Sequence, residues 1–455
     1  MAKSQSPAAH GMVSGITVAI KYACHDMQKG TQTLQGWEKV HAGTEQAAQM
    51  RAQQTFGRLF DAQALNTQPT ADQIKQLAQG MAEGPDDPQD GPADAGTAFF
   101  GQFIDHDLTL DATTMLGAAS GDVAAVPNFR TPRFDLDSVL GHGPEVDPWL
   151  YGQGGRSHAL VFGSADGAGV NANPLDLQRN RNARALIGDP RNDENLFISQ
   201  IHGRQFVDAF NGHIETHGNA FEPAADDLRH AYQRRVCEEF LPQVVAEDVL
   251  SPLLSQARHG SLKGPINWDC APDMPVEFAA AAFRFGHSMI RQSYSLNDRF
   301  PDVELFSEAH RGFSPVPEWF NLDFDRFFGP SAQKSRPINT KLVADLINLP
   351  GRIVPDTPNL AERNMLRGQH TFCLPSGERA AASLGFDVLD PHDDIKALGL
   401  TGNTPLWFYI LWEAECAGGK LGQLGGTLVA GTLLNLMLRD SNSIFNSGES
   451  DSLAA

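Results

Sequence analysis

The chain is predicted to fold as a mainly α protein: one large helical domain with long irregular loops and little β structure. Three observations predict this. Apolar residues recur at helical spacing in many separate segments, strand-like alternation is scarce, and no strong linker interrupts residues 46–445. No internal repeat subdivides the chain. The expected organisation is an N-terminal extension over 1–45, the domain over 46–445, and a frayed tail over 446–455 rich in Ser and Asn.

Taken in order, residues 46–65 read as a helix and 71–83 as a second. The run EGPDDPQDGPADAG cannot be helical and ends where the apolar-rich helix TAFFGQFIDHDLTL begins. Residues 116–180 are rich in Gly, Pro and Asn, a long loop region of the kind that tends to be functional. Helical patterning returns over 192–250 and again over 276–292, where Phe278, Ala282, Phe285 and Met289 share a face. The stretch 300–338 is aromatic and Pro-rich with little regular structure. Further helices are expected at 340–348, 358–368, 376–383, 404–417 and 426–438.

Composition narrows the function. The chain has 455 residues and a formal net charge of −20, with a pI near 5.1. Such a surface repels phosphate, which argues against nucleic acid as a partner and against anionic membranes. The apolar stretch GGTLVAGTLLNLMLRD is too short and Gly-rich to span a bilayer, so no membrane insertion is expected. Cys24, Cys237, Cys270, Cys373 and Cys416 are odd in number, widely spaced and without a CxxC. Buried or inert thiols are therefore expected rather than a disulfide framework or a zinc site. No secretory signal is evident, which makes the cytoplasm the default compartment and export without a cleaved signal the alternative.

Chemistry concentrates in a few motifs. In GQFIDHDLT, Gln102, Asp105 and His106 fall at i, i+3 and i+4 on one helical face, and the neighbouring Phe99, Phe100, Phe103 and Ile104 imply that these polar groups are buried. A neutral imidazole here could shuttle a proton; a polar patch on a surface helix is the bland alternative. Asp107 points away from that face. In GDPRNDENLFISQIHG, Arg191 could stabilise a departing oxyanion, with Glu194 one turn on. Asp193 and Glu194 could equally be first-turn acids, with Asn192 or Asp193 near the cap. His202, further along this helix, reads as structural. In FRFGHSMI, His287 has Arg284 three residues before it and the small Gly286 beside it. A lone histidine on an apolar helix is more often a core residue than a metal ligand, but an axial haem ligand has this form. Asn364 in LAERNMLRGQ is a candidate amide partner for it, with Arg367 one turn on. In TPRFDLDSVLG, Thr131, Asp135 and Asp137 could ring Ca²⁺, completed by Asp107 if the loop folds back. The spacing is not that of an EF-hand, and a turn with solvated acids is the alternative.

In their order and approximate spacing, GQFIDHDLT, TPRFDLDSVLG, GDPRNDENL, FRFGHSMI and NMLRG resemble the animal-type haem peroxidases of the peroxidase–cyclooxygenase superfamily. The likeness is to short bacterial members similar to the myeloperoxidase and lactoperoxidase catalytic domain. It covers roughly residues 50–445, including TPLWFYILWEAE. The resemblance implies haem b and Ca²⁺ as cofactors. It implies hydrogen peroxide as substrate, with halide, thiocyanate or small phenolic and aromatic donors oxidised through a ferryl intermediate. It makes His106 the distal acid/base, Gln102 its amide partner, Arg191 the distal arginine and His287 the proximal iron ligand hydrogen-bonded to Asn364. Arg284 and Arg367 join the cofactor-binding set. Asp105 and Glu194 fall where mammalian members ester-link haem. Asp107, Thr131, the carbonyl of Arg133, Asp135 and Asp137 fall where the family binds Ca²⁺, Asp137 replacing the usual serine.

Two departures matter. Asn195 stands where myeloperoxidase has a methionine bonded to haem, which excludes a sulfonium link and puts strong chloride oxidation in doubt. Cyclooxygenases carry a radical tyrosine just before the proximal histidine, whereas EFAAAAFRFG has none and Tyr294 lies after His287. This counts against the alternative of a fatty-acid dioxygenase. A haem-carrying structural protein that has lost turnover is the other alternative, and the presence of His106, Arg191 and Gln102 argues against it.

Overall fold

A computed structural model describes residues 55–447, apart from 154–157, 164–172, 308–309, 352 and 355. The expected N-terminal extension over 1–45, Cys24 and all but the first residues of the expected tail lie outside the described residues.

The described chain is mainly helical. Its first α-helices are α1 (Ala71–Gly80), α2 (Ala95–Leu108), the short α3 (Asp137–Leu140), α4 (Leu196–Gln200), α5 (Asp208–Thr216), α6 (Phe221–Arg235), α7 (Leu241–Val244) and α8 (Glu247–Arg258). They are followed by α9 (Val276–Ala280), α10 (Ala344–Ile347), α11 (Leu360–Leu366), α12 (Gly377–Ser383), α13 (Asp393–Ala397), α14 (Leu406–Cys416) and α15 (Gln423–Arg439). β structure among the described residues is limited to two short pairs. β1 (Phe56–Gly57) runs parallel to β2 (Met274–Pro275), and β3 (Ser293–Tyr294) runs antiparallel to β4 (Val303–Glu304).

The core forms around two helices that are apolar on every side, α14 and α15, and such helices must be central. α15 packs on α8 and α14, and α14 packs on the segment that carries His287. A second apolar layer joins α2 to the helices after residue 196. Phe103 stacks on Phe206 with ring centroids 4.2 Å apart, and Phe99 stacks on Phe197 at 4.0 Å. The α2 side of the cleft described below is thus anchored to packed aromatic rings rather than to loops.

Three helices contain a wider turn. Ile201–Val207 between α4 and α5, Val236–Phe240 between α6 and α7, and Arg367–Thr371 after α11 are π-helical. Such insertions are uncommon and concentrate at functional sites.

Two expectations need correction. The described part of 46–65 is not helical: Phe56 is buried and pairs through β1, and a single 3₁₀ turn follows at Leu65–Thr67. A Cβ on Gly57 would lie 2.4 Å from Pro272 Cβ, so close docking against the 272–275 strand overrides helix propensity here. The segment 276–292 is not one α-helix. α9 stops at Ala281 (φ −137°, ψ −68°), and Ala282–Met289 continues as a 3₁₀ helix. In that tighter helix residues three apart eclipse, so Arg284 and His287 stand one above the other.

Candidate active site

α2 and the 3₁₀ helix 282–289 pack side by side, and a cleft opens between them. Gln102 and Asp105 line it from α2; Arg284, Gly286 and His287 line it from the other wall; Phe240 and Phe283 close one side. Its cavity volume is about 30 Å³. His106 lies on the same face of α2 as Gln102 and Asp105 and is fully buried.

On the α2 side, five residues meet. His106 Nδ1 is 2.9 Å from Asn192 Oδ1, and its Nε2 is 3.7 Å from Glu194 Oε1 with no hydrogen-bond partner. Gln102 Nε2 donates to Glu194 Oε1, and Gln102 Oε1 accepts from Asn195 Nδ2 at 3.2 Å. Burial, and then the Arg191 charge, push the His106 pKa down to about 3, so the ring is neutral at physiological pH. Burial raises Asp105 and raises Glu194 strongly, and Arg191 only partly offsets this in both. Asp105 takes a hydrogen bond from Thr109 Oγ1 at 2.8 Å.

Arg191 is held with little freedom. It sits in a 3₁₀ turn, Pro190–Asp193, capped by Asp189, whose Oδ1 accepts from the Arg191 backbone N–H. Asp189 also takes Nε and Nη2 of the same arginine, and Nη2 donates to the His106 carbonyl at 2.7 Å. Nη1 is buried without a partner. Burial alone would raise the Asp189 carboxyl, but Arg191 and Arg130 outweigh it and hold it well below the usual range. The loop 311–313 presses on this turn. Phe313 N–H donates to the Asp193 carbonyl, and a Cβ on Gly312 would fall 1.9 Å from the Glu194 carbonyl oxygen, so only glycine fits.

The capping expectation is corrected. Asn195, not Asn192 or Asp193, caps α4, its Oδ1 accepting from the backbone N–H groups of Phe197 and Ile198. Asp193 is taken up by Arg179, and Asn192 turns inward. The carboxylates of Asp193 and Glu194 are therefore not first-turn acids of an α-helix.

On the opposite wall, His287 Nδ1 is 2.7 Å from Asn364 Nδ2, and Asn364 Oδ1 accepts from Arg284 Nη1 at 3.1 Å. Trp407 Nε1 on α14 donates to the Arg284 carbonyl, fixing the 3₁₀ helix from behind. Arg367 lies within α11's π-helical extension and pairs with the buried Asp111 at 2.9 Å. Burial, and then the Arg367 charge, push Arg284 down to about 9.

The loop TPRFDLDSVLG does fold back beside α2. Carboxylate oxygens of Asp107, Asp135 and Asp137 lie within 4.8 Å of one another. Thr131 Oγ1 is 2.7 Å from Asp135 Oδ2. Leu136, between the two acids, has φ +56°, a costly conformation for a β-carbon residue, and it turns both carboxylates toward one point. Asp107 Oδ1 accepts from Ser138 Oγ, while Oδ2 is buried and unpartnered. Burial and mutual repulsion raise Asp107 strongly and Asp135 to about 7. Arg133 is exposed, with its N–H on the Thr131 carbonyl.

Sequence reading missed Asp189, Asp111 and Arg130, and read Asn192 only as a possible cap. Arg130 joins two regions, pairing with Asp137 and, at 3.3 Å, with Asp189. The signal for Asp189 was its place two residues before Arg191 next to a proline, the pattern of a side-chain-capped turn. His202 is buried as expected of a structural residue, but its Nδ1 is 3.0 Å from Asn192 Nδ2, so it belongs to the same network as His106.

No protein-family model matches the chain, and no curated protein matches it in sequence. Among solved structures the fold is shared with a peroxidase and with fatty acid alpha-dioxygenases. Peroxidase A from Dictyostelium discoideum aligns with a TM-score of 0.60 at 14% identity, over 88% of this chain and 89% of its own. Fatty acid alpha-dioxygenase from Oryza sativa, solved with palmitic acid, aligns at 0.60 and 14% identity over 87% and 77%. The Arabidopsis thaliana fatty acid alpha-dioxygenase aligns at 0.60 and 12% identity over 88% and 75%. At these identities the likeness is one of fold.

Proposed function

We propose that the protein is a haem-dependent peroxidase that uses hydrogen peroxide to oxidise small anions or phenolic donors. One observation carries the reading. A neutral imidazole and a fixed guanidinium, each with an unpartnered nitrogen, are buried behind the α2 wall of the cleft, and His287 with its Nδ1 engaged lines the opposite wall.

The residues fit haem. Two guanidiniums, the half-buried Arg284 and the buried Arg367, would suit the carboxylates of a porphyrin, and the Arg367 charge disfavours that of Arg284. His287 would hold the iron through Nε2, with Asn364 on Nδ1. When bound, haem supplies the oxidising chemistry. The chain's own part is proton and charge handling. His106 Nε2 takes a proton from the peroxide and returns it to the departing oxygen. Arg191 Nη1 offsets the negative charge that develops there, and Asp189 keeps its guanidinium from moving. Gln102, held between Glu194 and Asn195, orders the donor or water at the cleft. Asp105 and Glu194 are the carboxyls available for ester links to haem. The oxygen-only set of Asp107, Thr131, Asp135 and Asp137, with the Arg133 carbonyl, would bind Ca²⁺ and relieve the repulsion among its carboxylates.

The fatty-acid dioxygenase reading is weaker. None of Tyr151, Tyr232, Tyr294 or Tyr409 lines the cleft, and the Tyr294 hydroxyl instead accepts the Arg291 N–H. The test is stopped-flow absorption of the haem-loaded chain mixed with hydrogen peroxide, then with iodide or guaiacol, beside oxygen uptake with palmitate. A peroxide-driven spectral change reversed by the donor supports the proposal. Oxygen uptake with palmitate and no donor oxidation would replace it.

A further inference from the structure

We propose that Asn192 is a positioning residue that sets the tautomer of His106. Its Oδ1 keeps the ring proton on Nδ1 and leaves the lone pair of Nε2 for the incoming peroxide, while His202 holds the amide in that orientation. The inference rests on the peroxidase reading only for its kinetic consequence; the tautomer is a property of the chain.

Three side chains form the relay. His106 Nδ1, Asn192 Oδ1, Asn192 Nδ2 and His202 Nδ1 follow one another at 2.9 Å and 3.0 Å across the amide. His106 and Asn192 are fully buried and His202 is 1% exposed, so water cannot substitute for any of these contacts. An amide oxygen only accepts and an amide nitrogen only donates. With the oxygen on His106, the His106 Nδ1 must be the donor; with the nitrogen on His202, the His202 Nδ1 must be the acceptor. A neutral imidazole carries one proton, so the amide between the two rings decides which nitrogen of each holds it.

That position decides whether His106 can act. A free neutral imidazole prefers its proton on Nε2, where it could not accept one from peroxide. The protein therefore has to impose the other form, just as an acceptor on Nδ1 fixes the imidazole of a catalytic triad. Asn192 is well suited because it shares the Pro190–Asp193 turn with Arg191. One turn, fixed by Asp189, presents the guanidinium and the amide together.

The test uses the full-length chain labelled with ¹⁵N-histidine. His106→Gln identifies the His106 ring signals, and haem-loaded samples are mixed with peroxide in parallel. Wild type should show a protonated, pyrrole-type Nδ1 and a pyridine-type Nε2 at His106. Asn192→Leu should move the proton to Nε2 and slow the peroxide reaction about 100-fold with haem content unchanged. Asn192→Asp, which keeps an oxygen facing Nδ1, should restore the tautomer and bring the rate to within about tenfold of wild type. A proton on Nε2 in wild type overturns the inference even if the leucine variant does not fold. A His106 tautomer unchanged in a folded Asn192→Leu chain also overturns it. If His106→Gln itself leaves the peroxide rate intact, the peroxidase reading fails while the tautomer assignment stands on its own spectrum.

Discussion

His106, buried behind the α2 wall of the cleft, and His287, which lines the other wall, each have an asparagine on Nδ1, yet the two amides present opposite ends. At His106 the oxygen points to the ring, because His202 takes the nitrogen. At His287 the nitrogen points to the ring, because Arg284 takes the oxygen. The difference separates two jobs. A base needs a free lone pair on Nε2 and a proton on Nδ1, and the His106 wall already has that arrangement. Under the proposed reading, ligation of iron through Nε2 needs the same protonation at His287, which the Asn364 amide would supply only with its oxygen turned to the ring. The His106 wall is preorganised for its proposed role, and the His287 wall is not.

The largest expected contrast comes from removing each ring. His287→Ala should abolish haem retention, read as loss of the Soret band after gel filtration. His106→Ala should keep haem but slow the peroxide reaction by about 10³- to 10⁴-fold. Equal haem loss in both variants would erase the distinction. Next in size is the proposed Ca²⁺ site, whose Asp107 lies on α2 beside His106. Chelation followed by Ca²⁺ at about 100 times its Kd should restore about 2.7 kcal/mol in urea unfolding. Haem retention should change little across that cycle, and a stability indifferent to Ca²⁺ would remove the site.

Asn364→Leu should weaken haem affinity by about 10- to 100-fold, and Asn364→Asp should retain it. Equal affinity in wild type and the leucine variant would show that the amide does not support the ligand. The smallest effect concerns pH. The His106 wall has a second buried imidazole, His202, pushed to about 3, and His310 lies at about 4. Both pKa values are depressed below the unfolded value of about 6.5. Their contribution is complete above that pH and is lost as pH falls, because the unfolded chain takes up protons the folded one refuses. His202→Gln should reduce the slope of stability between pH 5 and 6.5 by about 1.4 kcal/mol per pH unit. An unchanged slope would mean that His202 is not buried neutral.

The same two walls mark how far sequence reading reaches. α2 was readable because its apolar period is regular and its polar residues recur on one face. The helical identity of 276–292 was readable but its form was not. The break at Ala281 comes from packing against α14, including the bond from Trp407 to the Arg284 carbonyl, and these partners are more than 100 residues away. The ring of Asp107, Asp135 and Asp137 could be named from spacing, yet its closure depends on Leu136 at positive φ, which no composition rule assigns to leucine. Asn192 was read as a helix-start residue because local propensity places asparagine there. Its inward turn depends on Asp189 taking the cap instead.

The three wider turns at 201–207, 236–240 and 367–371 have a consequence for how this chain tolerates insertion and deletion. Each holds one residue more than an α-helix of the same rise would, and each carries a group of the site: His202, Phe240 and Arg367. Removing a single residue from any of them would let the helix run on smoothly and would improve its local hydrogen bonding. The flanking turns would keep their register, because a wide turn confines its extra residue locally, but the site group carried by that turn would lose its placement. Shortening these helices is therefore the kind of change that local helix energetics favour and that the site rejects.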